Sequence, residues 1–173
     1  QIYQAFRQVK HLFDPDNRLN PGDIVDAPAI DENLRFGADY QVIDIPTYYT
    51  YREDRSFSEA VHMCTGVGAC RKPFGGTMCP SYRATQDERH STRGRANALR
   101  LAMSGQMGPD GLLDPGLYEV MDLCIGCKGC KAECPSSVDL AKLKGEFLQL
   151  YHDDHGVKLS DKLTANAPVS AAR

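Results

Sequence analysis

No stretch of this 173-residue sequence approaches the ~20 consecutive apolar residues of a membrane-spanning helix. The first residues lack the apolar core of a secretory signal peptide, so export by that route is not expected. Almost nothing alternates with the two-residue period of a half-buried strand. Tyr48-Tyr49-Thr50-Tyr51 is a short β-prone run, read as one extended segment rather than a sheet. No glycine-rich phosphate loop follows a strand, and no serine, histidine and acidic residue stand out as a nucleophilic triad. The sequence therefore points to no catalytic residue. Hydrophobic content, at 42%, is at the low edge for a globular chain. The chain opens at Gln1, in what reads as mid-helix, and is expected to be a piece of a longer polypeptide.

Against these absences stand seven cysteines. An odd number argues against a purely disulfide framework, and four of them crowd into residues 124–134, where pairing would be strained. Reduced thiols that bind metal are the better expectation. Cys124-Ile-Gly-Cys127-Lys-Gly-Cys130-Lys-Ala-Glu-Cys134-Pro135 has the C-x2-C-x2-C-x3-C-P spacing of iron–sulfur ligand runs. In such runs three close thiolates hold one cluster and the fourth reaches across to another. Gly126 and Gly129 let the loop curl and aim amide N–H groups at sulfur. A structural zinc site is the alternative, but zinc sites usually use two separated C-x2-C pairs without a terminal Cys-Pro.

The first group is Cys64-x5-Cys70-x8-Cys79-Pro80. Aligned with the second group, Cys64, position 67 and Cys70 keep the three-residue interval, and Cys79-Pro80 matches Cys134-Pro135. Position 67 is a valine. Crossed ligation then predicts one [4Fe–4S] cluster on Cys124, Cys127, Cys130 and Cys79. It predicts a second cluster on Cys64, Cys70 and Cys134, either [3Fe–4S] or a [4Fe–4S] cluster whose fourth iron takes water or a non-cysteine side chain. His62 is the nearest such side chain in sequence.

Charge is unevenly spread. Residues 14–54 carry ten acidic side chains against Arg18, Arg35 and Arg52, whereas residues 71–100 carry seven basic ones against Asp87 and Glu88. Between two cysteine groups, a basic stretch is better suited to neutralising anionic clusters than to nucleic acid. Ser91-Thr92-Arg93-Gly94-Arg95 could grip a phosphate at a helix N-terminus. The preferred reading gives Arg93 and Arg95 to cluster charge or to a docking partner.

Apolar periodicity predicts a helix over 2–13, stopped by Asp14-Pro15. A capping box at Ser56-x-x-Glu59 starts another, to about Cys64. Further helices are predicted after Cys79-Pro80, from a Thr92 cap through Met103, from Asp114-Pro115 towards Cys124, and from Ser136-x-x-Asp139 to about Tyr151. The tail beyond Lys162 is expected to fray.

The cysteine region resembles the helical iron–sulfur domain found in the iron–sulfur subunits of succinate dehydrogenase, fumarate reductase, heterodisulfide reductase and glycolate oxidase. In the succinate dehydrogenase family, a C-x5-C…C-P group with an apolar residue in place of one cysteine is similar to Cys64…Val67…Cys70…Cys79-Pro80, and holds [3Fe–4S]. The order of the two groups is reversed here. Val9-Lys10-His11-Leu12-Phe13-Asp14-Pro15 and Leu19-Asn20-Pro21-Gly22 resemble the end of an FAD-linked oxidase C-terminal domain. Gly75-Gly76-Thr77-Met78-Cys79-Pro80-Ser81-Tyr82 and His90-Ser91-Thr92-Arg93-Gly94-Arg95-Ala96 are similar to large fused proteins, D-lactate or D-2-hydroxyglutarate dehydrogenase-like, that join a flavin oxidase to an iron–sulfur domain.

The resemblance implies an all-α, helical two-cluster ferredoxin, preceded by a helix of a flavin oxidase domain and an extended arm. The implied boundaries are 1–25 for the oxidase tail, 26–55 for the linker, 56–160 for the iron–sulfur domain and 161–173 for the tail. The implied function is electron transfer from FAD, bound upstream in the same full-length chain, through two clusters to an unidentified acceptor, with a D-2-hydroxy acid oxidised at the flavin. A stand-alone relay subunit, similar to those of heterodisulfide reductase or glycolate oxidase, is the alternative. No nucleic-acid partner and no membrane span are expected. The expected compartment is the cytoplasm, with peripheral association at the inner membrane as the alternative.

Overall fold

The computed structural model describes residues 1–171 apart from Arg35, Ala38 and Asp44, and only the backbone of residues 167–171. Arg35 and Asp44 of the acidic stretch, and the last two residues of the tail, thus lie outside the described residues. Two compact units divide the chain, Gln1–Tyr40 and Gln41–Arg173.

The first unit is built on helix α1, Ile2–Phe13. Asp14 ends it. Its carboxylate accepts the N–H groups of Arg18 and Leu19, both at 2.9 Å, and pairs with Lys10 one turn back. The apolar residues expected to share a stripe do so, yet none is buried: Ile2, Phe6, Val9 and Phe13 are all exposed.

The second unit is helical throughout its regular structure, and no strand occurs among the described residues. Its helices are α2 (Phe57–His62), α3 (Pro80–Thr85), α4 (Thr92–Met103), α5 (Pro115–Asp122), α6 (Gly129–Glu133), α7 (Leu140–His155) and α8 (Leu159–Ala171). The all-α expectation holds. Helix α4 is the hub and packs against α2, α5 and α7. Leu99, Leu117, Met121, Leu143 and Phe147 meet in the core. Burying each such side chain stabilises the fold by about 1.5–3 kcal/mol, and their positions on three helices fix the loops between them. No helix among the described residues is long and apolar enough to cross a membrane.

Caps explain most helix starts. Ser56 accepts from Glu59 N–H, and Asp114 from Leu117 N–H with Pro115 in the first turn. The α4 cap is Ser91 rather than the expected Thr92. Its hydroxyl accepts Gly94 N–H at 2.8 Å, and Thr92 opens the helix proper. Asp139 caps α7, which runs one turn past Tyr151 because His155 stacks on the Tyr151 ring, centroids 4.1 Å apart. The tail forms α8 instead of fraying through its length. Its alanine, leucine and lysine content favours helix, and the Lys158 ammonium sits over the Tyr118 ring at 4.5 Å.

Residues 41–55 belong to the helical unit rather than to a linker reaching 55. Ile43 N–H bonds Met103 C=O at 3.0 Å. The fully buried Glu146 carboxylate accepts Tyr48 N–H at 2.7 Å and Tyr49 N–H at 3.0 Å, and Tyr51 is buried under Lys142, whose ammonium lies 3.7 Å from its ring centre. The single extended segment expected over 48–51 is not formed: the chain bends at Tyr48 and Tyr49, where the Glu146 carboxylate takes up both N–H groups.

Candidate metal centre

The seven thiols gather at two hollows that meet at the α4 N-terminus. Cys79, Cys124, Cys127 and Cys130 line one. Cys64, Cys70 and Cys134 line the other, together with Val67. Cys79 thus leaves its own group to join the second, and Cys134 does the reverse. All seven cysteines are free. His62 is not among the residues that line the three-thiol hollow.

The two cysteine loops repeat one backbone pattern. Positive φ falls two and four residues after the first cysteine in each: Gly66 (+84°) and Gly68 (+80°) in one, Gly126 (+64°) and Lys128 (+59°) in the other. Burial repeats too. Cys64 and Cys124 are half-buried, Cys70 and Cys130 buried, and Val67 and Cys127 exposed. Val67 therefore stands where Cys127 stands, with an apolar side chain instead of a thiol. Each loop then runs into a helical turn, Ala69–Arg71 or α6.

Donors converge on sulfur from helix N-termini. Arg93 N–H, in the first turn of α4, points at Cys70 Sγ from 3.3 Å. At Cys130 the backbone N–H groups of Leu140 and Ala141 at the start of α7, with that of Lys131, act to lower the thiol. Burial pushes the Cys70 and Cys130 thiols up, and these N–H groups offset part of the rise. At Cys79 burial also acts upward, but the Ser81 hydroxyl, Tyr82 N–H, Arg95 and Thr92 outweigh it and hold the thiol below its ordinary value. Fixed dipoles and N–H groups of this kind favour thiolate over thiol and stabilise anionic sulfur. Thr92 lines both hollows.

A second set of contacts holds the cysteine-bearing loops. Glu133 accepts Thr77 N–H and Met78 N–H, the latter at 3.3 Å, and pairs with Lys72 at 3.0 Å. Arg83 donates to the carbonyls of Gly75, Gly76 and Met78. Residues 72–78, which lead into Cys79, are thereby tied to Glu133, the residue preceding Cys134. Lys144 donates to Cys124 C=O at 2.7 Å and Asp122 C=O at 3.1 Å. None of these holding roles is signalled by a motif; Glu133 and Lys144 read as ordinary surface charges in the sequence.

The donor set fits iron–sulfur clusters. Thiols surround each hollow, positive dipoles face them, and the polar side chains of the walls are hydroxyls and cations, Ser81, Thr92 and Lys128 in one and Thr65, Thr92, Arg93 and Ser136 in the other, with no carboxylate. No three histidine, cysteine, aspartate or glutamate side chains among the described residues converge as the ligands of a single ion would. Cluster thiolates bind separate irons and so stand apart.

Comparison with known proteins gives the same chemistry. The chain is 30% identical to D-2-hydroxyglutarate dehydrogenase of Pseudomonas putida over 94% of its own length and 19% of that protein's. It is 30% identical to the Escherichia coli protein of the same name over 95% and 20%. The probable glycolate oxidase iron–sulfur subunit of Bacillus subtilis is 30% identical over 49% of the chain and 18% of that protein. The chain thus spans about a fifth of the length of these relatives. No solved structure matches. The 4Fe-4S dicluster domain family matches residues 47–138, a span that takes in all seven cysteines of the two hollows. With all seven hollow-lining cysteines inside the matched span, the chain belongs to the 4Fe-4S dicluster domain family.

Proposed function

We propose that this chain is the electron-transfer part of an FAD-dependent D-2-hydroxy acid dehydrogenase. Cys79, Cys124, Cys127 and Cys130 hold a [4Fe–4S] cluster, and Cys64, Cys70 and Cys134 hold a [3Fe–4S] cluster. The observation that carries the ligand assignment is the exchange of Cys79 and Cys134 between the two hollows. When bound, each cluster supplies one-electron redox chemistry. The chain's own residues bind it, donate N–H groups to its sulfurs and limit access of water. Two one-electron centres suit a flavin hydroquinone, which holds two electrons and can release them singly. FAD and the substrate site belong to a domain preceding this one in the full-length chain.

The names of the long relatives support this reading. So does α1, whose amphipathic apolar face, with Leu12 and Phe13 nearly four-fifths exposed, suits packing against a larger body. The likeness to the glycolate oxidase iron–sulfur subunit favours a second reading, a relay subunit that docks to a separate flavoprotein. Neither reading needs a membrane span, and a cytoplasmic location, with or without peripheral attachment to the inner membrane, suits both.

Anaerobically assembled protein should contain about seven irons per chain and give a [3Fe–4S] EPR signal when oxidised. Eight irons and no such signal would sink the three-iron assignment. Cys134→Ser should abolish that signal and spare the [4Fe–4S] signal. Loss of the [4Fe–4S] signal alone would refute crossed ligation.

A further inference from the structure

Arg95 is fully buried, 0% exposed. Its Nε donates to Val120 C=O at 2.8 Å, and its Nη1 to His90 C=O at 2.6 Å and Ser81 Oγ at 3.0 Å. The same Nη1 lies 3.8 Å from Cys79 Sγ. Its Nη2 is buried with no hydrogen-bond partner. Among the described residues no carboxylate lies within ion-pair distance of it.

Four other cations of the basic stretch differ. Arg93 pairs with Glu88 at 2.7 Å, Arg71 with the same Glu88 at 3.0 Å, Arg89 with Asp87 and Lys72 with Glu133. Carbonyls and a hydroxyl satisfy part of the Arg95 fork but carry no charge. A buried guanidinium without a counterion is strongly disfavoured unless an anion meets it. The group it faces is a thiol of the four-cysteine hollow. From another side, the Lys144 ammonium closes on Cys124 C=O.

We propose that Arg95 is the counterion built into the four-cysteine site, and that its charge raises the reduction potential of that site. The inference rests on the ligand assignment made under Proposed function. Reduction adds one negative charge to an already anionic group. A cation fixed in a water-poor interior stabilises the reduced form more than the oxidised one. At the three-cysteine site, Arg93 differs in being partly exposed and in pairing with Glu88, which it shares with Arg71, while its backbone N–H addresses sulfur. The two sites are thus set apart electrostatically by two arginines two residues apart.

The test compares Arg95→Gln and Arg95→Lys in the full chain, assembled anaerobically and titrated potentiometrically with EPR detection. In Arg95→Gln the reduced-to-oxidised ratio of the [4Fe–4S] signal at the wild-type midpoint should fall at least ~10-fold, ~59 mV for one electron. The three-cysteine signal should move less, and Arg95→Lys should stay near wild type. An unchanged midpoint in Arg95→Gln, or equal shifts in both variants, overturns the proposal. Should Arg95→Gln fail to retain its iron, Arg95→Lys decides: a [4Fe–4S] signal at the wild-type midpoint supports the need for charge, and loss of iron there too overturns it. Cys79→Ser is assembled in parallel. An intact [4Fe–4S] signal in that variant overturns the ligand assignment and the inference with it, an outcome distinct from an unmoved Arg95→Gln midpoint.

Discussion

Val67 is the one position where the two cysteine loops differ in ligand chemistry while agreeing in backbone and exposure. A thiol placed there would stand at the mouth of the three-thiol hollow, as Cys127 stands at the other. Val67→Cys should therefore convert the three-iron site to a four-iron one. Iron content should rise from about seven to about eight per chain, and the [3Fe–4S] EPR signal should disappear. Persistence of that signal at full strength would show that position 67 is not the fourth corner. The register of Val67 was legible in the sequence because cysteine spacing survives substitution at one site. The burial of Arg95 was not. In an arginine-rich stretch each residue reads alike, and only the packing of α4 against α5 separates Arg95 from Arg93.

At the scale of elements, capping chemistry made most helix starts readable, and the exceptions are instructive. Ser91 and Thr92 are adjacent hydroxyls able to cap the same helix, so sequence could not choose; the Gly94 N–H chooses Ser91. Ser136 lost to Asp139 at α7 for a similar reason. Asp14 carries a pH prediction. The Lys10 ammonium, with the N–H groups of Leu19 and Arg18, holds its carboxyl well below the usual carboxylate range, at about 2. A depressed folded-state pKa means that its contribution is complete above the unfolded-state value of ~4 and is lost as pH falls through about 2. Amide exchange at Arg18 and Leu19 in the intact chain should therefore show unchanged protection from pH 7 to 5, and lose protection towards pH 2. Loss of protection already near pH 5 would contradict this role for Asp14.

For the molecule as a whole, the helical iron–sulfur body was legible in outline because spacing, turns and apolar period all agreed. Its extent was not. Residues 41–55 read as linker, since nothing in their composition announces that a glutamate about a hundred positions away accepts their backbone. Glu146→Ala would remove the acceptor of the Tyr48 and Tyr49 N–H groups and should cost about 1–2 kcal/mol in urea unfolding of the assembled protein. Proteolysis should then begin within 41–55. Glu146→Gln, which keeps one acceptor oxygen, should cost less. Equal stability of wild type and Glu146→Ala would mean that this segment is held by its side chains alone.

Thr92 faces both hollows, so the partition between them is one residue thick. What lies there is a buried threonine anchored in the first turn of a packed helix. From Cys70 sulfur, one hydrogen bond reaches the Arg93 nitrogen, and a peptide linkage joins that nitrogen to Thr92. Electronic coupling decays more slowly through such bonds than across gaps. With clusters bound, the first turn of α4 would stand between the two sites, and the covalent link of Thr92 and Arg93 would be kept whatever side chains the helix carries further along.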